Sequence, residues 1–146
     1  MRDSRVGVMG AAAVSAIFLI KTAALVSINS NELMTALVIA PAAGRTSILC
    51  SMALLPYARD NEGLGTLFYS GATRSAALFS LLIFVVMSYL MAPAKTMLVV
   101  ATVILVTLCF AFLCRRRIGG STGDTLGAVC ELTEAAVLLA FSLTLN

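Results

Sequence analysis

The sequence of 146 residues is too apolar and too weakly charged for an ordinary water-soluble protein. Charged residues make up 12% of it and hydrophobic residues 60%, whereas a soluble domain has about 25% charged residues. The high hydrophobic fraction excludes a disordered chain. The net charge of only +3 excludes a nucleic-acid-binding protein with a basic face. Because histidine is absent, Ser–His–Asp and Cys–His catalysis are also excluded. We predict an integral membrane protein with a single domain over residues 1–146.

Five apolar stretches are long enough to cross a bilayer, which requires about 20 mostly apolar residues. In chain order they cover residues 7–28, 33–55, 75–94, 96–114 and 126–145. The third and fourth contain no charged residue, whereas the first carries Lys21, the second Arg45 and the fifth Glu131 and Glu134. The sequence therefore predicts an all-α fold, a polytopic membrane helix bundle with about five transmembrane helices.

The basic residues outside these stretches alternate between the two ends of the predicted bundle. Seven lie in the N-terminal segment, the second loop and the fourth loop, against one, Lys95, on the opposite side. Because Lys and Arg are enriched in cytoplasmic loops, we predict a cytoplasmic N-terminus. The larger polar loops then share the cytoplasmic face, where we expect a functional site.

Acidic residues enter the last predicted helix, where a charge needs a partner. At 100° per residue, Asp124 and Glu131 lie within about 20° of each other, and Glu134 lies about 60° further round. The three carboxylates form one acidic stripe. A divalent cation could neutralise it, since Mg²⁺ prefers oxygen ligands, and so could Lys21 and Arg45 as internal counter-ions. Spacing alone does not separate a metal site from ion pairs that only fix helix packing.

Two loops on the predicted cytoplasmic side have the composition of phosphate-binding segments. The turn Gly119-Gly120-Ser121-Thr122-Gly123-Asp124 offers backbone amides and hydroxyl groups at the start of a helix, where phosphates bind favourably. The loop that begins at Pro56 contains Arg59, whose guanidinium could clamp a phosphate. Each loop could equally be a connection between helices, with arginines that only anchor the chain at the membrane surface.

Three separated motifs together resemble the C-terminal part of the cobalamin synthase family, the adenosylcobinamide-GDP ribazoletransferases. They read MRDSRVGVMG from Met1, PYARDNEGLGTLF from Pro56 and RRIGGSTGDTLGAVCELTEAAVLL from Arg116. Arg45 within the second helix matches as well. The last motif is the longest and most specific. The motifs occur in the family's order and extend over nearly the whole sequence.

The resemblance implies a membrane transferase of the last steps of cobalamin (vitamin B12) biosynthesis, in the cytoplasmic (inner) membrane. It would join α-ribazole, or its 5′-phosphate, to adenosylcobinamide-GDP and release GMP, with Mg²⁺ as cofactor. Phosphoryl transfer needs charge neutralisation and positioning more than a special nucleophile, which agrees with the absence of histidine. The implied catalytic residues are Asp124 and Glu131, the metal ligands Asp124, Glu131 and Glu134, and the substrate-binding residues Arg5, Arg45, Arg59, Gly120 and Thr122. Asp3 and Ser4 would line the same site.

The resemblance also implies an acidic motif like D-G-L-A-D-x-x-D-G in an N-terminal part of the family, and this sequence contains no such motif. We therefore expect either a truncated product or one half of a split enzyme, which would need an N-terminal half or a second copy as partner. A small polytopic transporter or channel subunit is the alternative from another class, since intramembrane charges can form a polar pathway. An inactive membrane fragment is a third possibility.

Overall fold

The computed structural model describes residues 7–58 and 72–143, and within them the chain is almost entirely helical. The five α-helices are α1 (Val8–Ser27), α2 (Ser30–Leu54), α3 (Ala72–Met91), α4 (Thr96–Arg117) and α5 (Gly123–Leu143), with a short 3₁₀ turn at Pro93–Lys95 before α4. All five are long and apolar enough to cross a membrane. The predicted all-α bundle with five spanning helices is confirmed, and each predicted span overlaps one helix.

Helix α2 lies at the centre of the bundle because its buried face carries mostly small side chains, with Ile39 as the large exception. These small residues recur three or four positions apart, which places them on one side of a helix. They are all buried: Ala36, Ala40, Ala43, Gly44, Ser47 and Ser51. Small residues allow helix backbones to approach closely in a membrane. Helix α5 packs on α2, with Val137, Leu138 and Phe141 in the same core cluster as Ala36, Ala40 and Ala43.

Helix α1 lies at the edge of the bundle, and Ala24 is its only buried residue. Its large side chains point away from the protein, as Phe18 shows with 70% of its surface exposed. An apolar exposed face suits contact with lipid rather than with water. The single strong polar contact of α1 runs through Lys21, which is described with the site below.

The ends of the helices are fixed by local polar contacts. At the start of α2, the Asn29 side chain accepts a hydrogen bond from the Asn31 amide at 3.3 Å. At the same end of the bundle, Lys95 forms an ion pair with Glu32 and lies 5.2 Å from the centre of the Phe141 ring. This contact joins the start of α2, the 3₁₀ turn before α4 and the end of α5.

At the opposite end, α4 stops at a glycine with a positive φ angle. Gly119 has φ of +80°, a conformation that favours glycine at a helix end. Its amide donates to the Cys114 carbonyl at 3.1 Å, which satisfies one of the last carbonyl groups of α4. The chain can then turn at once into α5, which brings the motif that follows Arg117 back over the bundle end.

Candidate functional site

The two glutamates of α5 both receive hydrogen bonds from Lys21 of α1. Lys21 Nζ lies 2.7 Å from Glu131 Oε2 and 2.7 Å from Glu134 Oε2. The side chains of Lys21 and Glu134 are mostly buried, with 17% and 14% of their surface exposed, whereas Glu131 is 54% exposed. A lysine in an apolar helix is thereby neutralised by the carboxylates, and α1 is tied to α5.

Glu134 is also bound by Arg45 of α2. Arg45 Nη1 donates to Glu134 Oε1, the oxygen that Lys21 does not use. Cys130 Sγ lies 3.5 Å from both of these atoms. We call Lys21, Arg45, Glu131 and Glu134 the charge cluster. It holds two positive and two negative charges and links three helices, with Glu134 as its centre.

The absence of a side chain at Gly44 leaves the space in which the Glu134 carboxylate lies. A Cβ atom on Gly44 would lie 2.8 Å from Glu134 Oε1 and 2.8 Å from Cys130 Sγ, closer than real Cβ atoms come to other atoms. Only glycine therefore allows Glu134 to pass close to α2 and reach Arg45, which follows Gly44 in the sequence. The cluster depends on Gly44 although glycine contributes no charge to it.

Arg45 keeps most of its side-chain surface exposed. Its side chain is 67% exposed, and it lines a pocket of about 430 Å³ between α2 and α3. A guanidinium has five N–H donors in a fixed planar arrangement that matches phosphate oxygens. Because Glu134 fixes one edge of the group, the remaining donors have a defined orientation and could bind an anionic ligand.

The two motif loops are joined by backbone hydrogen bonds at the end of the bundle. The Ser121 amide donates to the Pro56 carbonyl, and the Ala58 amide donates to the Ser121 carbonyl, each at 2.9 Å. The Ser121 hydroxyl also reaches Pro56 O at 3.3 Å. We call these contacts the loop bridge. It fixes the end of α2 and the start of α5 relative to each other, and sequence reasoning did not anticipate it.

Gly120 is required by the loop bridge itself. A Cβ atom on Gly120 would collide with the Pro56 carbonyl oxygen and lie 3.1 Å from the Ala58 amide nitrogen. The sequence predicted that the glycines of this turn let the backbone approach a substrate. At Gly120 the space is taken by the neighbouring loop of the same chain, and its predicted role in substrate binding stays a prediction.

Thr122, also predicted to bind substrate, caps α5. Its hydroxyl accepts a hydrogen bond from the Thr125 amide at 3.3 Å, and the Thr125 hydroxyl accepts one from the Thr122 amide at 2.8 Å. This reciprocal pair resembles a capping box, with threonine in place of the usual glutamate or glutamine. Asp124 lies exposed in the first turn that follows, about 10 Å along the helix axis from Glu131.

Four residues that the sequence singled out lie outside the described residues. Arg5 and Arg59, predicted to bind substrate, are among them, together with Asp3 and Ser4. Their predicted roles stay predictions. Of the three arginines predicted to bind substrate, Arg45 is therefore the one that lies among the described residues.

The predicted acidic stripe does not gather into a metal site within residues 7–58 and 72–143. No group of three side chains with the ligand types His, Cys, Asp or Glu is arranged there to hold a metal ion. Glu131 and Glu134 face Lys21, and Asp124 stands two turns away from them. The described residues by themselves do not fit a bound Mg²⁺. Glu131 and Glu134 are instead paired with Lys21, as expected if basic residues of the bundle act as their counter-ions.

Known proteins resemble the chain over nearly its whole length. It matches the family described as cobalamin-5-phosphate synthase over residues 1–142. The chain belongs to this family. An adenosylcobinamide-GDP ribazoletransferase of Thermoanaerobacter sp. (strain X514) is 39% identical over 142 residues, covering 97% of this chain and 57% of the relative. The Brevibacillus brevis protein of the same name is 34% identical, covering 95% of this chain and 56% of the relative.

The chain therefore spans little more than half the length of these curated relatives of the cobalamin-5-phosphate synthase family. No solved structure matches the chain significantly. The family match covers all three motifs on which the resemblance was based. The charge cluster and the loop bridge add contacts that a sequence match alone does not supply.

Proposed function

We propose that this chain forms part of a membrane transferase that joins α-ribazole, or its 5′-phosphate, to adenosylcobinamide-GDP. A ribose hydroxyl oxygen would attack the phosphorus on the cobinamide side of the pyrophosphate. A new P–O bond forms, the bond to the bridging oxygen breaks, GMP leaves, and the hydroxyl proton passes to a base. The observation that carries this proposal is the family match over residues 1–142 together with relatives named as adenosylcobinamide-GDP ribazoletransferases.

Arg45 is the residue of the charge cluster that we assign to the substrate. Its guanidinium is held by Glu134, and two-thirds of its side-chain surface is exposed. It can therefore offer further N–H donors to a pyrophosphate while it stays paired with Glu134. Bidentate bonds between arginine and phosphate oxygens combine affinity with a fixed geometry. Lys21 would neutralise the negative charge of Glu131. The guanidinium of Arg45 is then not needed for that charge and could bind the pyrophosphate.

Asp124 and the loop bridge provide the other half of the proposed site. Asp124 forms no ion pair within residues 7–58 and 72–143, and it follows the bridge directly in sequence. We assign it a catalytic role at the membrane surface. Glu131, half-exposed on the next turns of the same helix, would line the path between Asp124 and Arg45.

Mg²⁺ remains the proposed cofactor of the whole protein, with Asp124, Glu131 and Glu134 as the candidate ligands from this chain. When bound, the ion would neutralise charge on the transferred phosphate. Since the described residues do not form a metal site alone, further oxygen donors would have to come from the substrate or from other polypeptide. We assign no step of the reaction to the ion here.

The proposed setting is the cytoplasmic membrane, with the loop bridge and the arginines of the α4 end on the cytoplasmic side. The exposed charges of Arg45 and Glu131 support a further partner. A charge facing lipid at a helix centre costs at least about 2.5–3.5 kcal/mol, so this face should meet water or protein. A polypeptide equivalent to the unmatched part of the relatives, or a second copy of the chain, would provide that cover.

Transfer in proteoliposomes tests the proposal. The chain is reconstituted with Mg²⁺, adenosylcobinamide-GDP and radiolabelled α-ribazole, with and without the part of the Thermoanaerobacter relative that the chain does not match. We expect labelled cobalamin product and GMP when both parts are present, and loss of product in Asp124→Asn. Asn31→Ala is the control, because Asn31 is exposed at the opposite end of the bundle and belongs to neither motif loop. Uptake of label without conversion would favour the transporter alternative and contradict the proposal.

A further inference from the structure

A separate pocket opens at the loop-bridge end of the bundle, between the ends of α2, α3 and α4. Its volume is about 350 Å³, which lies within the range of small-ligand pockets. Residues 52–56 form one wall, Thr73 and Arg74 from the first turn of α3 form another, and Arg115 from the last turn of α4 closes it. Neither arginine belongs to the charge cluster.

Two positive charges share this pocket without an acidic partner among the described residues that line it. Both arginines are exposed, and within residues 7–58 and 72–143 neither takes part in an ion pair. Two cationic side chains that line one cavity repel each other, and an anion bound in the cavity would offset that repulsion. The arrangement has the charge of an anion site.

The arginines of the α4 end do not all face this pocket. Consecutive residues on a helix point about 100° apart, and only Arg115 of the Arg115–Arg117 triplet lines it. The Arg116 guanidinium instead lies 4.7 Å from the centre of the Phe112 ring. Simple anchoring at a membrane surface does not require Arg115 to line the same cavity as an arginine from another helix.

Apart from the arginines and Thr73, the side chains that line the pocket are apolar. Met52 and Leu54 contribute to the wall, and Leu55, only 5% exposed, is one of its buried residues. The mixture places cationic groups above hydrocarbon-like side chains at the end of membrane-spanning helices. Basic pockets between transmembrane helices at this level bind the head groups of anionic lipids.

We propose that Arg74 and Arg115 form a binding site for a phosphate ester, separate from the transferase site. A lipid phosphodiester with its glycerol and first acyl carbons on Met52 and Leu54 fits the lining, and a soluble phosphate shares the same chemistry with the arginines. The inference does not rest on the proposed transfer reaction, because it concerns the binding of phosphate by the chain itself.

Native mass spectrometry of the chain purified with phosphatidylglycerol and phosphatidylcholine tests the site. We expect one retained phosphatidylglycerol, and a fall of about tenfold to a hundredfold in its retention in Arg74→Gln and in Arg115→Gln, as expected for a lost charged hydrogen bond. Arg117→Gln removes the same charge at the same helix end and is the matched control. Its effect should stay within about fivefold, the influence of one base near an anionic surface. Circular dichroism checks that each variant keeps its helix content.

A second arm distinguishes the source of the phosphate. Inorganic phosphate is titrated into lipid-free, detergent-solubilised chain and followed by ³¹P NMR. Retention of phosphatidylglycerol that depends on the pocket arginines supports a lipid site, whereas binding of inorganic phosphate alone with the same dependence supports a soluble phosphate. Equal losses in the pocket variants and in Arg117→Gln would overturn the proposal, and so would the absence of any loss.

Discussion

At the scale of single residues, Glu134 determines how charge is arranged inside the bundle. One carboxylate oxygen binds Lys21 and the other binds Arg45, so one side chain joins α1, α2 and α5. Glu131 contacts Lys21 only and is far more exposed. Glu131 and Glu134 are chemically alike and only three positions apart on one helix. Glu134 nevertheless connects more helices than Glu131 does.

Glu134→Gln should destabilise the protein much more than Glu131→Gln. The first change removes a mostly buried carboxylate that two cations share, although Lys21 keeps its bond to Glu131. Losing hydrogen bonds between charged groups costs about 1.5–3 kcal/mol. The second removes one contact of a half-exposed group, worth about 1 kcal/mol or less. Unfolding by SDS titration in mixed micelles measures the free energy of unfolding of both. Equal losses would show that Glu134 is not the centre of the cluster.

Gly44→Ala tests the packing of the same centre without changing any charge. The new methyl group would collide with Glu134 and Cys130, and overpacking of this kind costs about 1–3 kcal/mol. The matched control is Gly127→Ala on α5, where a Cβ atom meets nothing within 4 Å. We expect the free energy of unfolding to fall for Gly44→Ala only. A neutral Gly44→Ala would mean that α2 and α5 are less closely packed than described.

At the scale of helices and loops, much of the molecule could be predicted from the sequence, because span length and the charges that interrupt spans are local properties. The starts of α1 and α2 fall within three residues of prediction, and Lys21 and Arg45 were already candidates as counter-ions. The connections within the cluster were not predictable. Which glutamate Arg45 reaches depends on how α2 and α5 are aligned, and Gly44 acquires its role only through that alignment.

The loop bridge is the element-scale feature that sequence patterns could not reveal. Ser121 lay within a recognised motif, yet its bonding to Pro56 joins residues 65 positions apart. Nothing in either loop alone specifies that pairing. The glycines of the turn suggested room for a ligand, whereas Gly120 provides room for the chain itself.

Gly120→Ala should open the loop bridge. The added methyl group collides with the Pro56 carbonyl, so the Ala58 amide should lose its protected bond to Ser121 and exchange with solvent faster. Hydrogen exchange of the peptide that contains Ala58 measures this directly. Gly123→Ala, in the same turn but with open space around its Cβ position, should leave the exchange rate unchanged. Unaltered exchange in Gly120→Ala would contradict the bridge.

At the scale of the whole molecule, the arginines at the described helix ends, Arg74 in the first turn of α3 and Arg115, Arg116 and Arg117 in the last turn of α4, lie at one end of the bundle. The pocket formed by residues 52–56, Arg74 and Arg115 brings the ends of α2, α3 and α4 together, and the loop bridge adds the start of α5. At the other end of the bundle, the ion pair between Glu32 and Lys95 joins the start of α2 to the turn before α4. If Lys and Arg mark the cytoplasmic side, the end with these arginines would face the cytoplasm, and that orientation stays a prediction.

Labelling of single cysteines measures the predicted orientation. The four native cysteines are replaced, and one cysteine is introduced at Arg117 or at Asn31, both exposed. In intact cells a membrane-impermeant maleimide should react with the variant at Asn31 and not with the variant at Arg117. The reverse pattern would place the loop bridge and its arginines on the outer side and would refute a cytoplasmic site.

The most direct measurement of the part that the cluster plays in function is the Michaelis constant for adenosylcobinamide-GDP in Arg45→Lys, assayed in the two-part proteoliposomes. Lysine can keep the ion pair with Glu134, so the free energy of unfolding should change little. It cannot reproduce the planar donors of arginine, so we expect the Michaelis constant to rise by about tenfold or more. An unchanged Michaelis constant in a normally folded Arg45→Lys protein would contradict the assignment of Arg45 to the substrate's pyrophosphate.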